Sequence, residues 1–514
     1  MISKLPKEVK QVAVLLDQRG FKAYLVGGSL RDILMKQTPK DWDIATDAKP
    51  EEILKLFSSF AGATEDKPAT IYENNFGTVG VKTDSEDPTL KIIEITTFRK
   101  DGKYSDSRHP DKVVFAKSIE EDLARRDFTV NAIALCLNVG DVGTVGRNKQ
   151  SNKQSDSTID TLSDPFGGLM DLDKRLIRAV GNPEERFAED ALRLMRAVRF
   201  AAQLDFEIEK TTAEAISNKS DLLEFISQER IRDEFQKMIM TPRAMESILD
   251  LEKFGLLKHI VPELRDGIGV GQNKHHTFTV FEHNIKSLEY SAKKNHSLEV
   301  RLAALLHDIG KPKSKRGEGP NCTFYGHQVV GERMARKILE RLHFSNAIID
   351  KVALLVREHM FMYDPDIVTP AGVRRLLRRV GAENMEDLMK VREADRIGSG
   401  VPKAKTYRLR HLEAMIEKVK TDPISPKMIK INGNDLMAEL KLIPGPRIGR
   451  ILAVLLEEIL ESPEINTKEA LLDRASELNK MTDKELDAIA AKAKQSAAEA
   501  QERIDKDIEK KYYV

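Results

Sequence analysis

The chain has 514 residues, 41% of them hydrophobic, and its 83 Lys and Arg stand against 82 Asp and Glu for a net charge of +1. That length accommodates two to four domains with their own cores. The neutral balance means that a nucleic-acid partner must be met by basic residues gathered on one face, not by global charge. Cys136 and Cys322 stand far apart in unrelated contexts, which argues against a disulfide framework. No apolar run reaches transmembrane length and Met1–Pro6 lacks a hydrophobic signal core, so no membrane partner is expected and the cytoplasm is the expected location.

Residues 5–20 have the period of an amphipathic helix, with Val9, Val12, Leu15 and Leu16 on one face. Next, Tyr24-Leu25-Val26 reads as a strand that breaks at Gly27-Gly28 and resumes as a helix, for which Ser29 is the expected N-cap. Glycines there let backbone approach a ligand, and the new helix points free N–H groups at a bound anion. In Lys40-Asp41-Trp42-Asp43-Ile44, read as a strand, Asp41 and Asp43 face one side and Trp42 the other. Two carboxylates beside an anion site suit a Mg²⁺–triphosphate, because Mg²⁺ takes oxygen ligands shared with phosphates. A Gly-Gly alone is usually a turn and an Asp-x-Asp alone is usually solvated; together, with Arg31 between them, they carry information.

The pattern Gly-Gly-x-x-Arg-Asp followed by Asp-x-Asp resembles the nucleotidyltransferase motif of the class II tRNA nucleotidyltransferases (CCA-adding enzymes) and bacterial poly(A) polymerases. The resemblance implies that Asp41 and Asp43 are catalytic and hold Mg²⁺, while Gly27, Gly28, Ser29 and Arg31 bind the nucleotide.

Pro50–Phe57 reads as a helix with proline in its first turn. Phe76–Val81 and Lys91–Phe98 read as strands, the second offering Glu94 as a candidate third carboxylate. Residues 99–112 are polar and rich in turn formers, as in a loop beside a site; the resemblance implies a loop that helps addition switch from C to A. Asp122-Leu-Ala-Arg-Arg-Asp-Phe-Thr-Val-Asn-Ala again resembles the family, implying that Arg126 contacts the incoming nucleotide and that Asp127 orients arginines or the ribose. Residues 141–163 are Ser/Asn/Gln/Lys-rich and read as a flexible insert. Asp164-Pro-Phe-Gly-Gly-Leu-Met-Asp-Leu, also family-like, marks the end of the catalytic part.

Glu189–Phe200 is predicted as one strong helix, with Ala191, Leu194, Met195, Val198 and Ala202 forming its core stripe. Asp190 and Arg193 lie off that stripe, and Arg196 and Arg199 continue their row; the ordinary reading is a helical Asp–Arg ion pair. The functional reading has a chemical logic. A carboxylate accepts from the exocyclic amine of C or A while a guanidinium donates to the adjacent ring acceptors. U and G present a carbonyl oxygen at that position, which would face Asp190 acceptor to acceptor. The resemblance assigns base selection to Asp190 and Arg193, with Arg196 and Arg199 binding phosphates or supporting the pair. Helices are expected to continue through Glu229–Phe235.

From about residue 270 the vocabulary changes. His283, His307-Asp308, His327, His359 and Asp395 each sit on or beside apolar helical segments, which points to a metal site. They resemble the HD metal-dependent phosphohydrolases, implying His283, His307, Asp308 and Asp395 as one metal set and His327 and His359 as ligands of a second metal or phosphate. Mn²⁺, Ni²⁺, Co²⁺ and Mg²⁺ all fit such ligands. Arg374–Arg379 and Lys403–Arg410 are basic patches, each either an RNA contact or a solvated helix face. Pro444–Gly449 opens a helix, and residues 481–514 read as a charged terminal helix.

The expected architecture is α+β: a mixed-sheet nucleotidyltransferase head (1–173), an all-α neck and body (174–268), an all-α HD domain (269–420) and a C-terminal helical region (421–514). The expected activity is template-independent addition of C and A to a tRNA 3′ end from CTP and ATP. A poly(A) polymerase, or a CC- or A-adding relative, is the alternative within the class. A phosphohydrolase whose head merely binds nucleotide is the alternative outside it. Oligomeric state is left open.

Overall fold

The computed structural model describes residue 2 and residues 5–57, 70–73, 77–101, 113–137, 162–273, 277–361, 363–489, 491–492 and 495. It divides into two compact units, Met1–Pro262 and Glu263–Val514. Most of the predicted 99–112 loop and of the 141–163 insert, Phe76, and most of the tail after 489 lie outside the described residues.

The first unit is built on a mixed sheet. Helix α1 (Lys7–Gln18), shorter at both ends than its periodicity predicts, buries Val9, Val12 and Leu16. Strand β1 (Ala23–Val26) feeds α2 (Gly27–Leu34), followed by β2 (Asp43–Thr46), α3 (Pro50–Phe57), β3 (Thr70–Glu73), β4 (Thr78–Lys82) and β5 (Ile92–Thr97). A separate hairpin, β6 (Arg99–Asp101) with β7 (Val113–Phe115), precedes α4 (Ile119–Ala124), β8 (Ala134–Cys136) and β9 (Leu162–Ser163). The order across the sheet is β3-β4-β5-β2-β1-β8-β9. Among the described strands of this sheet, only β2 with β5 runs parallel, and its register sets Asp43 beside Glu94. Leu25, Ile44, Ile93, Ile95 and Trp42 fill the core beneath, each large apolar side chain contributing about 1.5–3 kcal/mol of burial.

Two local expectations are corrected. Ser29 is not an N-cap: Gly27 takes φ +68 and makes the bend itself, so α2 begins at that glycine and Ser29 lies within its first turn. Its buried hydroxyl donates back to the Val26 carbonyl at 2.8 Å. Asp41 precedes β2 and does not belong to it.

After the sheet come α5 (Gly168–Lys174), α6 (Pro183–Glu189), α7 (Leu192–Leu204), α8 (Lys210–Lys219) and α9 (Gln228–Ile239). The single helix predicted from Glu189 is therefore broken. Asp190 is extended, at φ −143 and ψ 104, and its carboxylate accepts from Leu192 N at 3.1 Å, the capping habit of a short acid. The predicted stripe of Ala191, Leu194, Met195, Val198 and Ala202 is buried throughout.

The second unit is helical among the described residues, apart from an isolated bridge between Arg316 and Thr323. Each arginine of the Arg374–Arg379 patch has a carboxylate partner. In the Pro370–Val380 helix, Arg374 pairs with Asp422 at 2.7 Å and reaches the Leu460 carbonyl at 2.8 Å. Arg375 pairs with Glu461, Arg378 with Glu457 at 2.6 Å and Arg379 with Glu358 at 2.6 Å. These ion pairs fasten helices together. No helix among the described residues is long and apolar enough to cross a membrane.

Candidate functional site

The β1–α2 turn, the β2 and β5 strands, Arg125–Asn131, the α6–α7 break and α9 enclose an open, polar cavity of about 620 Å³. Gly27, Gly28, Arg31, Asp41, Asp43, Arg126, Asp190, Arg193, Arg196 and Arg199 all line it; Ser29 lies buried behind the turn.

Asp41, Asp43 and Glu94 share one wall. Burial, then the charges of Asp41 and Glu94, push the Asp43 carboxyl up to about 7, against the pull of Arg126 and Arg31. This all-oxygen donor set, strained by its own repulsion, fits a hard divalent cation such as Mg²⁺. The glycines bring backbone close to it. A Cβ on Gly27 would lie 3.0 Å from Arg126 Nη1 and 3.1 Å from Asp43 Oδ2, and one on Gly28 would lie 3.7 Å from Asp41 Oδ1.

Basic side chains line the same cavity, and each is fixed by the protein. Arg31 donates to Asn131 Oδ1 at 2.7 Å and to Asp32 Oδ1 at 2.7 Å. Arg126 donates to Asp122 at 3.2 Å. Arg196 donates twice to Asp127, at 2.8 and 2.5 Å. Burial opposes that carboxylate, but Arg196, Arg193 and Asn131 outweigh it and hold Asp127 down to about 2. Arg199 pairs with buried Glu234 at 2.5 Å. The Phe200 ring lies 4.0 Å from the Arg199 guanidinium, 5.3 Å from that of Arg196 and 5.4 Å from that of Arg31, within cation–π range of all three.

Asp190 and Arg193 both reach the cavity, yet they do not pair with each other through their side chains. Arg193 is anchored by Glu189 at 2.6 Å and by the carbonyls of Arg186 and Arg125 at 3.0 and 3.2 Å. Asp190 is held by Leu192 N and by Arg230 of α9, at 2.8 Å. Sequence reasoning missed Arg230, Asn131 as a ligand of Arg31, and Phe200. Asn131 lies within the family-like Arg-Asp-Phe-Thr-Val-Asn string, whereas Arg230 and Phe200 were read only as parts of helices.

Three family models match the chain: the Poly A polymerase head domain over residues 23–178, the probable RNA and SrmB-binding site of polymerase A over 205–268, and tRNA nucleotidyltransferase domain 2 (putative) over 326–475. The CCA-adding enzyme of Ligilactobacillus salivarius is 33% identical over 485 residues, covering 93% of this chain and 98% of that protein. This chain belongs to the CCA-adding enzyme / poly(A) polymerase family of nucleotidyltransferases. The A-adding tRNA nucleotidyltransferase of Deinococcus radiodurans is 35% identical over 361 residues, 68% of this chain and 76% of that one. Among solved structures, the Bacillus stearothermophilus CCA-adding enzyme in complex with CTP aligns with a TM-score of 0.65 at 27% identity, covering 92% of this chain and 97% of that one.

This family member carries a second buried cluster, in its second unit. His283 comes from the Val280–Lys293 helix, His307 and Asp308 from the end of Leu298–Leu306, His327 from the start of His327–Arg341, His359 from the end of Asn346–Glu358, and Asp395 from Ala382–Gly398. All six are buried. His283 Nε2 lies 2.8 Å from His307 Nε2, 3.1 Å from Asp308 and 3.3 Å from Asp395. Asp308 also lies 3.2 Å from His327 and 3.6 Å from His359. The expected two sets are one continuous cluster, in which His283, His307 and Asp395, and again His307, Asp308 and His359, bring ligand atoms within 4.8 Å of one another.

The Nδ1 atoms of His307, His327 and His359 face the carbonyls of Ala304, Phe324 and Val356 at 2.8, 2.8 and 2.7 Å. A carbonyl can only accept, so Nδ1 carries the hydrogen and Nε2 turns inward, as metal-ligating histidines are commonly oriented. Burial opposes charge on His307, but Asp308 and Asp395 raise it to about 10, while burial pushes His359 down to about 4. The donor set fits a divalent metal with mixed nitrogen and oxygen ligands.

Proposed function

We propose that this chain adds CMP and AMP to the 3′ end of tRNA, using CTP and ATP and no nucleic-acid template. The observation that carries the reading is one cavity lined by Asp41, Asp43 and Glu94 together with Arg31, Arg126, Arg196, Arg199, Asp190 and Arg193. The tRNA 3′ oxygen bonds to the α-phosphorus, the bond from that phosphorus to the bridging oxygen breaks, pyrophosphate leaves and the hydroxyl proton passes to solvent. Arg31, Arg126 and the free N–H groups of α2 orient the triphosphate. Asp41 and Asp43, supported by Glu94, would hold Mg²⁺, which would supply acidification of the hydroxyl and offset charge developing on the phosphoryl group. Asp190 accepts from the amine of C or A while Arg193 donates to the ring, and U and G meet an acceptor with an acceptor.

The test is a product ladder on tRNA lacking its 3′ end, supplied with CTP, ATP or both. CC with CTP alone and a completed CCA with both is the expected pattern. Runs of A would overturn it in favour of a poly(A) polymerase, and CC alone or A alone would mark a partial adder, as the name of the Deinococcus relative makes worth testing. Asp41→Ala with Asp43→Ala abolishes incorporation; survival of incorporation would make the head a binding module only.

A second activity is favoured by the buried His/Asp cluster. On this reading, residues 269–420 form an HD-type phosphodiesterase or phosphatase domain, with His283, His307, Asp308 and Asp395 as principal ligands and His327 and His359 completing the set. His307→Ala should lose both bound metal, counted by elemental analysis, and hydrolysis of 2′,3′-cyclic nucleotides. Unchanged metal content would sink the assignment.

A further inference from the structure

We infer that Phe200 is a positioning residue: its ring gathers the Arg31, Arg196 and Arg199 guanidiniums and keeps their charge available to the phosphates of the bound nucleotide. The inference rests on the nucleotidyl-transfer reading of the head cavity and says how that cavity keeps three like charges together.

The three arginines come from two helices. Arg31 belongs to α2 and stays at its glycine turn, with Nη2 3.6 Å from where a Cβ on Gly28 would stand. Arg196, Arg199 and Phe200 belong to α7, and Arg196 and Phe200, four apart, share a helix face. All four residues line one cavity. The guanidinium carbons of Arg199, Arg196 and Arg31 stand 4.0, 5.3 and 5.4 Å from the ring centroid. Cations gathered this closely oppose one another. Burial, reinforced by the charge of Arg196, outweighs the pull of Glu234 and holds Arg199 below its usual value.

Carboxylates answer part of this repulsion: Asp32 pairs with Arg31, Asp127 with Arg196 and Glu234 with Arg199. A further carboxylate would cancel the charge that a triphosphate needs. A ring carries no net charge and no lone pair. Its quadrupole draws cations while their remaining N–H donors stay open to oxygen acceptors. Leucine would fill the same space without that attraction.

The ring is itself held in place. Phe200 is 6% exposed and meets buried Phe128 edge-on, with centroids 5.8 Å apart and planes at 77°, a favourable aromatic geometry. Phe128 follows Asp127, the partner of Arg196, and precedes the Thr129–Asn131 turn, whose Asn131 side chain accepts from Arg31 at 2.7 Å. One short segment therefore aims two of the arginines by hydrogen bonds and braces, through Phe128, the ring that gathers all three.

The test uses the full chain, with Phe200 replaced in turn by its mono-, tri- and pentafluoro analogues. Fluorine drains the ring quadrupole stepwise and leaves shape and apolar character nearly intact. CTP binding is read by isothermal titration with Mg²⁺ and without tRNA. The dissociation constant should climb with each step, reaching about ten- to thirtyfold at the pentafluoro ring, and Phe200→Leu should match that loss. The KM for CTP should climb in parallel. The CTP-over-UTP ratio of kcat/KM should stay within about twofold, because Asp190 and Arg193 are anchored by other groups. A flat fluorine series beside a weakened Phe200→Leu means that the ring only fills space, and overturns the proposal. So does a lost preference for CTP, which would place the ring in base choice. Incorporation of CMP into tRNA lacking its 3′ end is scored separately. A graded binding series in a protein that incorporates nothing sinks the nucleotidyl-transfer reading and leaves the role of Phe200 standing; normal incorporation with a flat series does the reverse.

Discussion

Asp43→Asn should destroy nucleotide addition and, without divalent cations, make the head more stable. The Asp43 carboxyl is raised to about 7 by burial and by Asp41 and Glu94, whereas an unfolded aspartate titrates near ~3.9. Below about pH 4 both states keep the proton and the site costs nothing. Between about pH 4 and 7 the unfolded chain has released its proton while the folded one retains it, so stability falls as pH rises. Above about 7 the full penalty stands; three units correspond to ~4 kcal/mol, and partial solvent access reduces this to about 2–4 kcal/mol. Asparagine keeps the shape without the charge. Its advantage in EDTA should be near zero at pH 4, grow to pH 7 and then level off. Trp42, the sole tryptophan, lies buried in the head core next to Asp43, so urea unfolding followed by its fluorescence reads this region directly. Mg²⁺ should stabilise the wild type and leave the variant unmoved. An Asp43→Asn protein less stable than wild type at pH 8 in EDTA, or with the same pH slope, refutes the electrostatic account.

Arg230→Ala removes the 2.8 Å bond that steadies Asp190 and should narrow the CTP-over-UTP ratio of kcat/KM about five- to thirtyfold, equivalent to ~1–2 kcal/mol; an equal loss for both nucleotides would mean a general defect. Gly27→Ala puts a Cβ about 3 Å from Arg126 and Asp43 at φ +68, which should cost the head ~1–2 kcal/mol and raise the KM for CTP, and neither change would be seen if the turn can relax. Asp127 is held down to about 2, with Arg196 outweighing burial, so it contributes stability above the unfolded carboxyl value of ~3.9 that fades as pH falls toward 2. Asp127→Asn should therefore cost ~2 kcal/mol at pH 7 and progressively less below pH 4. A deficit independent of pH would point to packing.

The Gly27–Asp43 region was legible in sequence because its logic is local: a glycine at the end of a strand, and two acids on either side of a buried tryptophan. Glu94 was visible only as the polar member of an alternating strand, since its place beside Asp43 depends on parallel pairing between β2 and β5. Helical periodicity placed the α7 stripe correctly but could not show the break, because Asp190 caps the new helix with its own side chain and periodicity counts only apolar positions. The basic run at Arg374–Arg379 was left open between an RNA contact and a solvated face for a different reason. Its carboxylate partners Glu358, Asp422, Glu457 and Glu461 are scattered along the chain, and only folding reveals that its charge is neutralised. The members of the histidine cluster were singled out on or beside apolar helical segments and through the resemblance to HD phosphohydrolases, and the fold brings them together.

The separation of Asp190 from Arg193 bears on how bases are chosen. Had they formed the ordinary i, i+3 ion pair, an incoming base would first have to break it, and the freed side chains would sample rotamers before meeting the base. Here Glu189 and two carbonyls fix the guanidinium, while Leu192 N and Arg230 fix the carboxylate. A carboxylate has room for about four hydrogens, and those two contacts leave Asp190 able to accept from an exocyclic amine without surrendering a partner. On the proposed reading, C and A gain that bond against an already ordered group, and U and G meet a lone pair that cannot turn away. Selectivity then depends on how firmly Arg230 holds Asp190, so a substitution at Arg230, which sequence reasoning alone did not single out, should loosen base choice before it loosens binding.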